Sequence, residues 1–181
     1  DRLMIQMKLS QLLEIAVTAA LEAGSEIMGI YNSDKIKVDF KDDNSPLTNA
    51  DLMSNEIILS HLAKTETPVL SEEGKEIPFD TRKKWKRLWI VDPIDGTKEF
   101  IKKNGEFTVN IALIENNKPI LGVIFAPALN QLYFSTVAIG AFKIEDVANG
   151  GSYKELLNKA KKLPLSTPET YTIVASRSHL S

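Results

Sequence analysis

The residues Asp92-Pro93-Ile94-Asp95-Gly96-Thr97 place two carboxylates, a proline, a glycine and a hydroxyl in one short stretch. They follow Leu88-Trp89-Ile90-Val91, a continuous apolar run of the kind a buried strand requires. Pro93 biases Asp92 toward extended backbone, and Asp95-Gly96 permits a tight turn into a following helix. Asp92 and Asp95 can then face one ion, with the Ile94 carbonyl between them. The N–H groups of Gly96 and Thr97 fall at the start of that helix, where free donors bind phosphate, and the Thr97 hydroxyl can orient a water. Glu72 and Glu73 follow another apolar segment, Val69-Leu70, and Asp51 falls near a helix start. Adjacent strands of one sheet would gather these carboxylates. Uncompensated, they repel, and one of them then holds its proton unusually tightly. A divalent cation removes that conflict. The sequence has no Cys, and its histidines are His61 and His179, so any metal must be held mainly by oxygen, a ligand set that suits magnesium or calcium.

Each feature also has a plainer reading. Asp-Gly is a common turn dipeptide, and Asp95 can cap a helix. Glu72-Glu73 by itself reads as a solvated edge. Thr48 and Asp51 match the Ser/Thr-x-x-Asp/Glu pattern of a capping box. The loop 42–53 is not a calcium EF-hand, because Pro46, Leu47 and Met53 occupy positions that such a loop needs for ligands and a glycine. The run Arg82, Lys83, Lys84, Lys86 and Arg87 reads as a solvated face, and His61 as a helix-surface residue. The conjunction of the acidic sites supports metal-dependent phosphate chemistry.

The elements that must position these residues are legible in the hydrophobic pattern. Leu9, Leu12, Leu13, Ala16, Ala20, Ala23, Ile27 and Ile30 recur at steps of three and four, which predicts a long amphipathic helix fading near Tyr31. The alternation Ile36/Val38/Phe40 predicts a short strand, and a second helix begins near Thr48 with Met53, Ile57, Ile58 and Leu62 facing inward. Strands follow at Val69-Leu70 and Leu88–Val91, then a short helix stopping at Gly105. Phe107–Ile114, Ile120–Phe125 and Leu132–Ser135, joined by short turns at Asn116-Asn117 and Pro127–Asn130, predict an antiparallel meander. A last helix is expected over Tyr153–Lys162 and a last strand over Thr172–Ala175.

Composition narrows the class. In 181 residues, 43% hydrophobic, 22 Lys and Arg face 24 Asp and Glu, a net charge of −2. That balance argues against a general nucleic-acid binder, which is normally strongly basic. The absence of Cys excludes disulfides, Cys-ligated zinc and thiol nucleophiles. No apolar run approaches the ~18 residues of a membrane span. Gln6, Lys8, Gln11 and Glu14 interrupt the N-terminal apolar pattern, which does not read as a signal peptide. A soluble, cytoplasmic globular protein is expected.

Three motifs in order, Ser45-Pro46-Leu47-Thr48-Asn49-Ala50-Asp51, Ser71-Glu72-Glu73 and Trp89 through Thr97, resemble the inositol-monophosphatase-like, lithium-sensitive phosphatase superfamily. Lys98-Glu99-Phe100 with Asn104 through Ile114 is most similar to its bacterial 3'(2'),5'-bisphosphate nucleotidase branch. The resemblance implies an α+β fold, the N-terminal part of a layered αβαβα sugar-phosphatase-like fold with helices packed on an antiparallel sheet. It implies two or three Mg2+ ions held by Glu72, Asp92, Asp95 and the Ile94 carbonyl, with Asp51 supporting a further ion or its water. Glu72 and Thr97 would orient the attacking water, making Thr97, Glu72 and Asp51 the catalytic group. Gly96 and Thr97 would hold phosphate through their N–H groups. The implied reaction removes the 3'-phosphate of adenosine 3',5'-bisphosphate, and of 3'-phosphoadenylyl sulfate, in sulfur assimilation. The implied partner is a small phosphorylated nucleotide. Peripheral association with the inner membrane stays open, as does the oligomeric state. Inositol monophosphatase activity and a non-catalytic metal- and phosphate-binding module are the alternatives. Family members continue past Ser176-Arg177-Ser178-His179. Residues 8–181 are therefore expected to form an N-terminal phosphatase domain running into a missing C-terminal domain, which would bring a further Asp in a Trp-Asp motif. Residues 1–7 are expected to be an added or flexible segment.

Overall fold

A computed structural model describes residues 7–147 and 152–166, together with residues 170 and 173. Its elements are α1 (Leu9–Tyr31), β1 (Val38–Phe40), β2 (Pro46–Thr48), α2 (Asn49–Leu62), β3 (Val69–Ser71), α3 (Phe79–Arg82), β4 (Arg87–Asp95) and α4 (Thr97–Ile101). These are followed by β5 (Thr108–Glu115), β6 (Lys118–Ala126), β7 (Gln131–Thr136), β8 (Gly140–Glu145), α5 (Tyr153–Asn158) and β9 (Lys161–Lys162). β1 and β2 form a small antiparallel hairpin, and β3 to β9 form one seven-stranded sheet in sequence order. Among the described residues no helix is long and apolar enough to cross a membrane.

The periodic stripe of α1 buries Leu12, Leu13, Ala16, Val17, Ala20, Ala23 and Ile27. The stripe lies beside α2 and over β5 and β6. On the sheet, alternate residues face this layer: Val109, Ile111 and Leu113 from β5, and Leu121, Val123 and Phe125 from β6. Trp89 is fully enclosed, and its indole N–H donates to the Thr65 hydroxyl at 3.0 Å. Tyr31, Phe100 and Phe107 pack ring against ring, with centroids 5.0–5.4 Å apart. That trio ties α4 to the end of α1.

Several sequence expectations hold and several change. The α+β architecture stands. The sheet is mixed rather than antiparallel, because β3 runs parallel to β4 while every later neighbour is antiparallel. Parallel neighbours need a crossover connection, and residues 72–86, including α3, supply it. Asn116 and Asn117 both take positive φ, at 49° and 62°, as the tight turn between β5 and β6. Met53 does not face inward but is 37% exposed, whereas Ser54, Ile58 and Leu62 are buried. The capping box at Thr48 and a hydrogen bond from the Ser54 hydroxyl to the Pro93 carbonyl, 2.9 Å, fix that rotation of α2. Ile36 precedes rather than joins β1. β8 is an additional strand. The last helix stops at Asn158, because Lys161 and Lys162 pair with Lys143 and Phe142 on the edge of β8. The expected strand at 172–175 lies outside the described residues apart from Ile173, as does the N-terminal segment apart from Met7.

The close approach of α1 to β6 requires Gly24, where an added Cβ would lie 2.2 Å from Cε1 of Phe125. Gly29 in the same helix has open space around it. Gly29→Ala is expected to stabilise by up to about 1 kcal/mol through helix propensity. Gly24→Ala is expected to destabilise despite the same gain, since overpacking costs about 1–3 kcal/mol. Denaturant midpoints of the two variants check this, and a stabilised Gly24→Ala protein would show that Phe125 is free to move.

Candidate active site

The parallel pairing of β3 and β4 puts the C-terminal ends of both strands at one edge. Ser71 registers with Val91, and the Glu72 N–H donates to the Val91 carbonyl at 3.0 Å. Glu72 therefore leaves β3 beside Asp92, which is still within β4. The β4–β5 ladder then slips, with Asp92 opposite Asn110 and Asp95 opposite Thr108. The extra residue makes a bulge, which is where a proline without an N–H is tolerated inside a sheet. Pro93 and Ile94 are buried there, and Asp95 is exposed at the rim. Gly96 takes φ +96°, and a Cβ on it would lie 2.7 Å from the Glu106 carbonyl, so only glycine fits. Its carbonyl accepts the Phe100 N–H at 2.9 Å and starts α4.

From the other side, α2 delivers Asp51, which is 1% exposed. The capping box is real. Asp51 Oδ2 accepts from the Thr48 N–H at 2.8 Å and from the Thr48 hydroxyl. Oδ1 accepts from the Thr97 hydroxyl at 3.2 Å, which joins α2 to the turn after β4. The Thr97 hydroxyl also lies 3.3 Å from the Ile94 carbonyl. Burial raises the Asp51 pKa, and its hydrogen bonds from Thr48 and Thr97 work against that shift. The capping and functional readings of Asp51 thus describe one carboxylate with two faces.

Asp92 carries the strongest electrostatic signal. Its Oδ1 is enclosed and has no hydrogen-bond partner. Burial, then the charges of Glu72 and Asp95, push its carboxyl up to about 7. Glu73 departs from the solvated-edge reading. Its side chain is 6% exposed and pairs with Lys41 Nζ at 2.6 Å, whereas Glu72, 3.1 Å from the same ammonium, is 52% exposed. Burial raises the Glu73 carboxyl against that pairing. His61 is also less exposed than expected, bridging α2 to Glu22 of α1 at 2.6 Å. The basic stretch from Arg82 is largely solvated, though Arg87 forks onto Glu115.

The structure thus brings Glu72, Asp92, Asp95, Asp51, Thr97, Gly96 and the Ile94 carbonyl to one end of the sheet. Among the described residues no three His, Cys, Asp or Glu side chains already surround a single point as a metal centre. Existing hydrogen bonds explain this. Thr97 holds Asp51, Lys41 holds Glu72 and Glu73, and Asn110 donates to Asp95 Oδ2 at 3.2 Å. The donor set nevertheless fits a hard cation. Every donor is oxygen, one buried carboxylate oxygen of Asp92 is orphaned, and burial with the charges of Glu72 and Asp95 raises the Asp92 carboxyl. Sequence reasoning missed Lys41 and Asn110. A lysine among aspartates in a loop, and an asparagine in a strand, carry no pairing signal until the strands are in register.

The inositol monophosphatase family matches residues 8–180. The chain is 43% identical over 163 residues to the 3'(2'),5'-bisphosphate nucleotidase CysQ of Escherichia coli strain K12, covering 88% of this chain and 61% of that protein. It is 44% identical over 163 residues to CysQ of Buchnera aphidicola, covering 88% of this chain and 57% of that protein. Its fold matches the crystal structure of CysQ from Bacteroides thetaiotaomicron, a bacterial member of the inositol monophosphatase family. That match has a TM-score of 0.82 and 45% identity, covering 99% of this chain and 66% of that one. The chain spans less than two thirds of the length of these relatives.

Glu73 depends on Lys41 for its compensation. Lys41→Met is expected to destabilise the metal-free protein by about 1–3 kcal/mol, the cost of a buried polar group stripped of its partner. Chemical denaturation in the presence of a chelator measures this. An unchanged midpoint would show that Glu73 is compensated by other groups.

Proposed function

The chain belongs to the inositol monophosphatase family, and on that premise we propose that the protein carrying it is a magnesium-dependent phosphatase acting on the 3'-phosphate of adenosine 3',5'-bisphosphate and its sulfated analogue. The observation that carries the reading is the orphaned Asp92 oxygen beside Glu72 and Asp95. The relatives named 3'(2'),5'-bisphosphate nucleotidase support the substrate class. Glu72, Asp92, Asp95 and the Ile94 carbonyl would hold two or three Mg2+ ions, with Asp51 serving a further ion or its water. Bound magnesium would supply Lewis-acid stabilisation of the phosphoryl oxygens and of the attacking and leaving oxygens.

The protein's own groups do the rest. Asp51 Oδ1 accepts the Thr97 proton, so the lone pairs of Thr97 Oγ1 are turned outward. There they accept a hydrogen bond from water and aim its oxygen at phosphorus, with Glu72 as the second acceptor. The N–H groups of Gly96 and Thr97, at the turn into α4, orient the phosphate. The water oxygen bonds to phosphorus, the bond from phosphorus to the 3'-oxygen breaks, and the proton that the attacking water loses is balanced by the one that the departing 3'-oxygen gains. Asp51 is itself fixed by Thr48, so the Thr97 rotamer is set before substrate arrives.

Phosphate release by the full-length protein is expected to be faster from adenosine 3',5'-bisphosphate than from inositol 1-phosphate. The reverse order would favour an inositol monophosphatase. Thr97→Ala is expected to lower kcat by ~10²–10⁴-fold with a smaller change in KM, because the N–H remains and the orienting hydroxyl is lost. Asp95→Asn is expected to lower kcat/KM by at least as much. Wild-type kcat in both variants at saturating magnesium would overturn the assignment.

A further inference from the structure

We infer that Asn110 is a positioning residue for magnesium, acting through Asp95 as a neutral donor that fixes which carboxylate oxygen faces the site. The inference rests on the reading of Asp95 as a metal ligand. Asn110 lies on β5 opposite Asp92, one residue past the bulge that brings Asp95 opposite Thr108. Val109 and Ile111 point into the core, so Thr108 and Asn110 point to the other face. There Asn110 Nδ2 reaches Asp95 Oδ2 at 3.2 Å, and the Thr108 hydroxyl reaches Asn110 Oδ1 at 3.1 Å.

The chemistry fixes the direction of this chain. An ionised carboxylate only accepts, so the amide nitrogen must face Asp95. The amide oxygen then faces Thr108, whose hydroxyl must donate. Thr108 sets the amide, and the amide sets the carboxylate. Asp95 is exposed at the rim of the sheet, and among the described residues Asn110 is the side-chain hydrogen-bond donor that reaches it. With Oδ2 occupied, Oδ1 is the oxygen left for a cation.

The neutrality of Asn110 matters as much as its position. Lys41 pins Glu72 and Glu73 with a positive charge, which competes with any incoming cation. An amide at Asp95 orders the carboxylate and leaves its full negative charge to the metal. A hydrogen-bonding partner of this kind, behind a metal ligand, typically contributes 10–100-fold to metal affinity.

The test is a magnesium titration of the full-length protein by calorimetry, comparing Asn110→Leu, Asp95→Asn and the double variant. Asn110→Leu is expected to weaken magnesium binding ~10–100-fold, with the melting temperature of the metal-free protein unchanged. In the Asp95→Asn background it is expected to add nothing, because the two residues act as one unit. Thr108→Val, a milder change, should weaken binding in the same direction by less. Wild-type affinity in Asn110→Leu and Thr108→Val, alongside a loss in Asp95→Asn, would overturn the role of Asn110 alone. Losses that multiply in the double variant would also overturn it, since Asn110 would then act independently of Asp95. Wild-type affinity in Asp95→Asn would overturn the ligand reading and this inference together.

Discussion

Mutual repulsion among carboxylates is the constraint on which the site depends. Glu72, Asp92 and Asp95 gather at one end of the sheet, and Asp51 approaches from α2. Asp51 and Asp95 have neutral hydrogen-bond donors that absorb part of their charge: Asp51 through Thr48 and Thr97, and Asp95 through Asn110. Glu72 leans on Lys41. Asp92 has an enclosed oxygen with no partner and a carboxyl pushed up to about 7. A chain selected only for stability would have little reason to keep such a group, since burying an uncompensated charge costs several kcal/mol. Strained electrostatics of this kind concentrate where a protein binds or reacts.

The rest of the fold serves that gathering. An antiparallel β3 would send Glu72 to the far end of the sheet from Asp92. The crossover through residues 72–86 makes β3 parallel to β4 and puts both exits at one edge. The bulge at Pro93 and Ile94 then separates Asp92 from Asp95, and Gly96 turns the chain where no other residue fits. α1 and α2 back the sheet from one face, held close by Gly24 and by the hydrogen bond from Ser54 to Pro93. The aromatic trio of Tyr31, Phe100 and Phe107 anchors the segment just beyond the turn.

Much of this was legible in the sequence because local chemistry dictates it. The α1 stripe follows from helical period, the capping box from Thr48 and Asp51, and the turn into α4 from Asp95-Gly96. The long-range features were not legible. Whether β3 pairs parallel or antiparallel with β4 depends on the crossover, and nothing in Val69-Leu70 encodes it. The rotation of α2 that exposes Met53 is set by Ser54 reaching Pro93, a contact 39 residues away in sequence. Lys41 and Asn110 become meaningful only once the hairpin and β5 are in register with the acidic cluster. Glu73, which reads as surface, has a buried side chain paired with Lys41.

If this acidic edge is a metal centre built on the ends of β3 and β4, it must take up a divalent cation. The most direct measurement is a crystal structure of the full-length protein soaked in Mn2+, an oxygen-preferring stand-in for magnesium, with its anomalous signal mapped. A peak is expected among Glu72, Asp92, Asp95 and the Ile94 carbonyl, with Lys41 moved off Glu72. Full occupancy of Mn2+ elsewhere, with this cluster bare and Lys41 still seated on both glutamates, would contradict it.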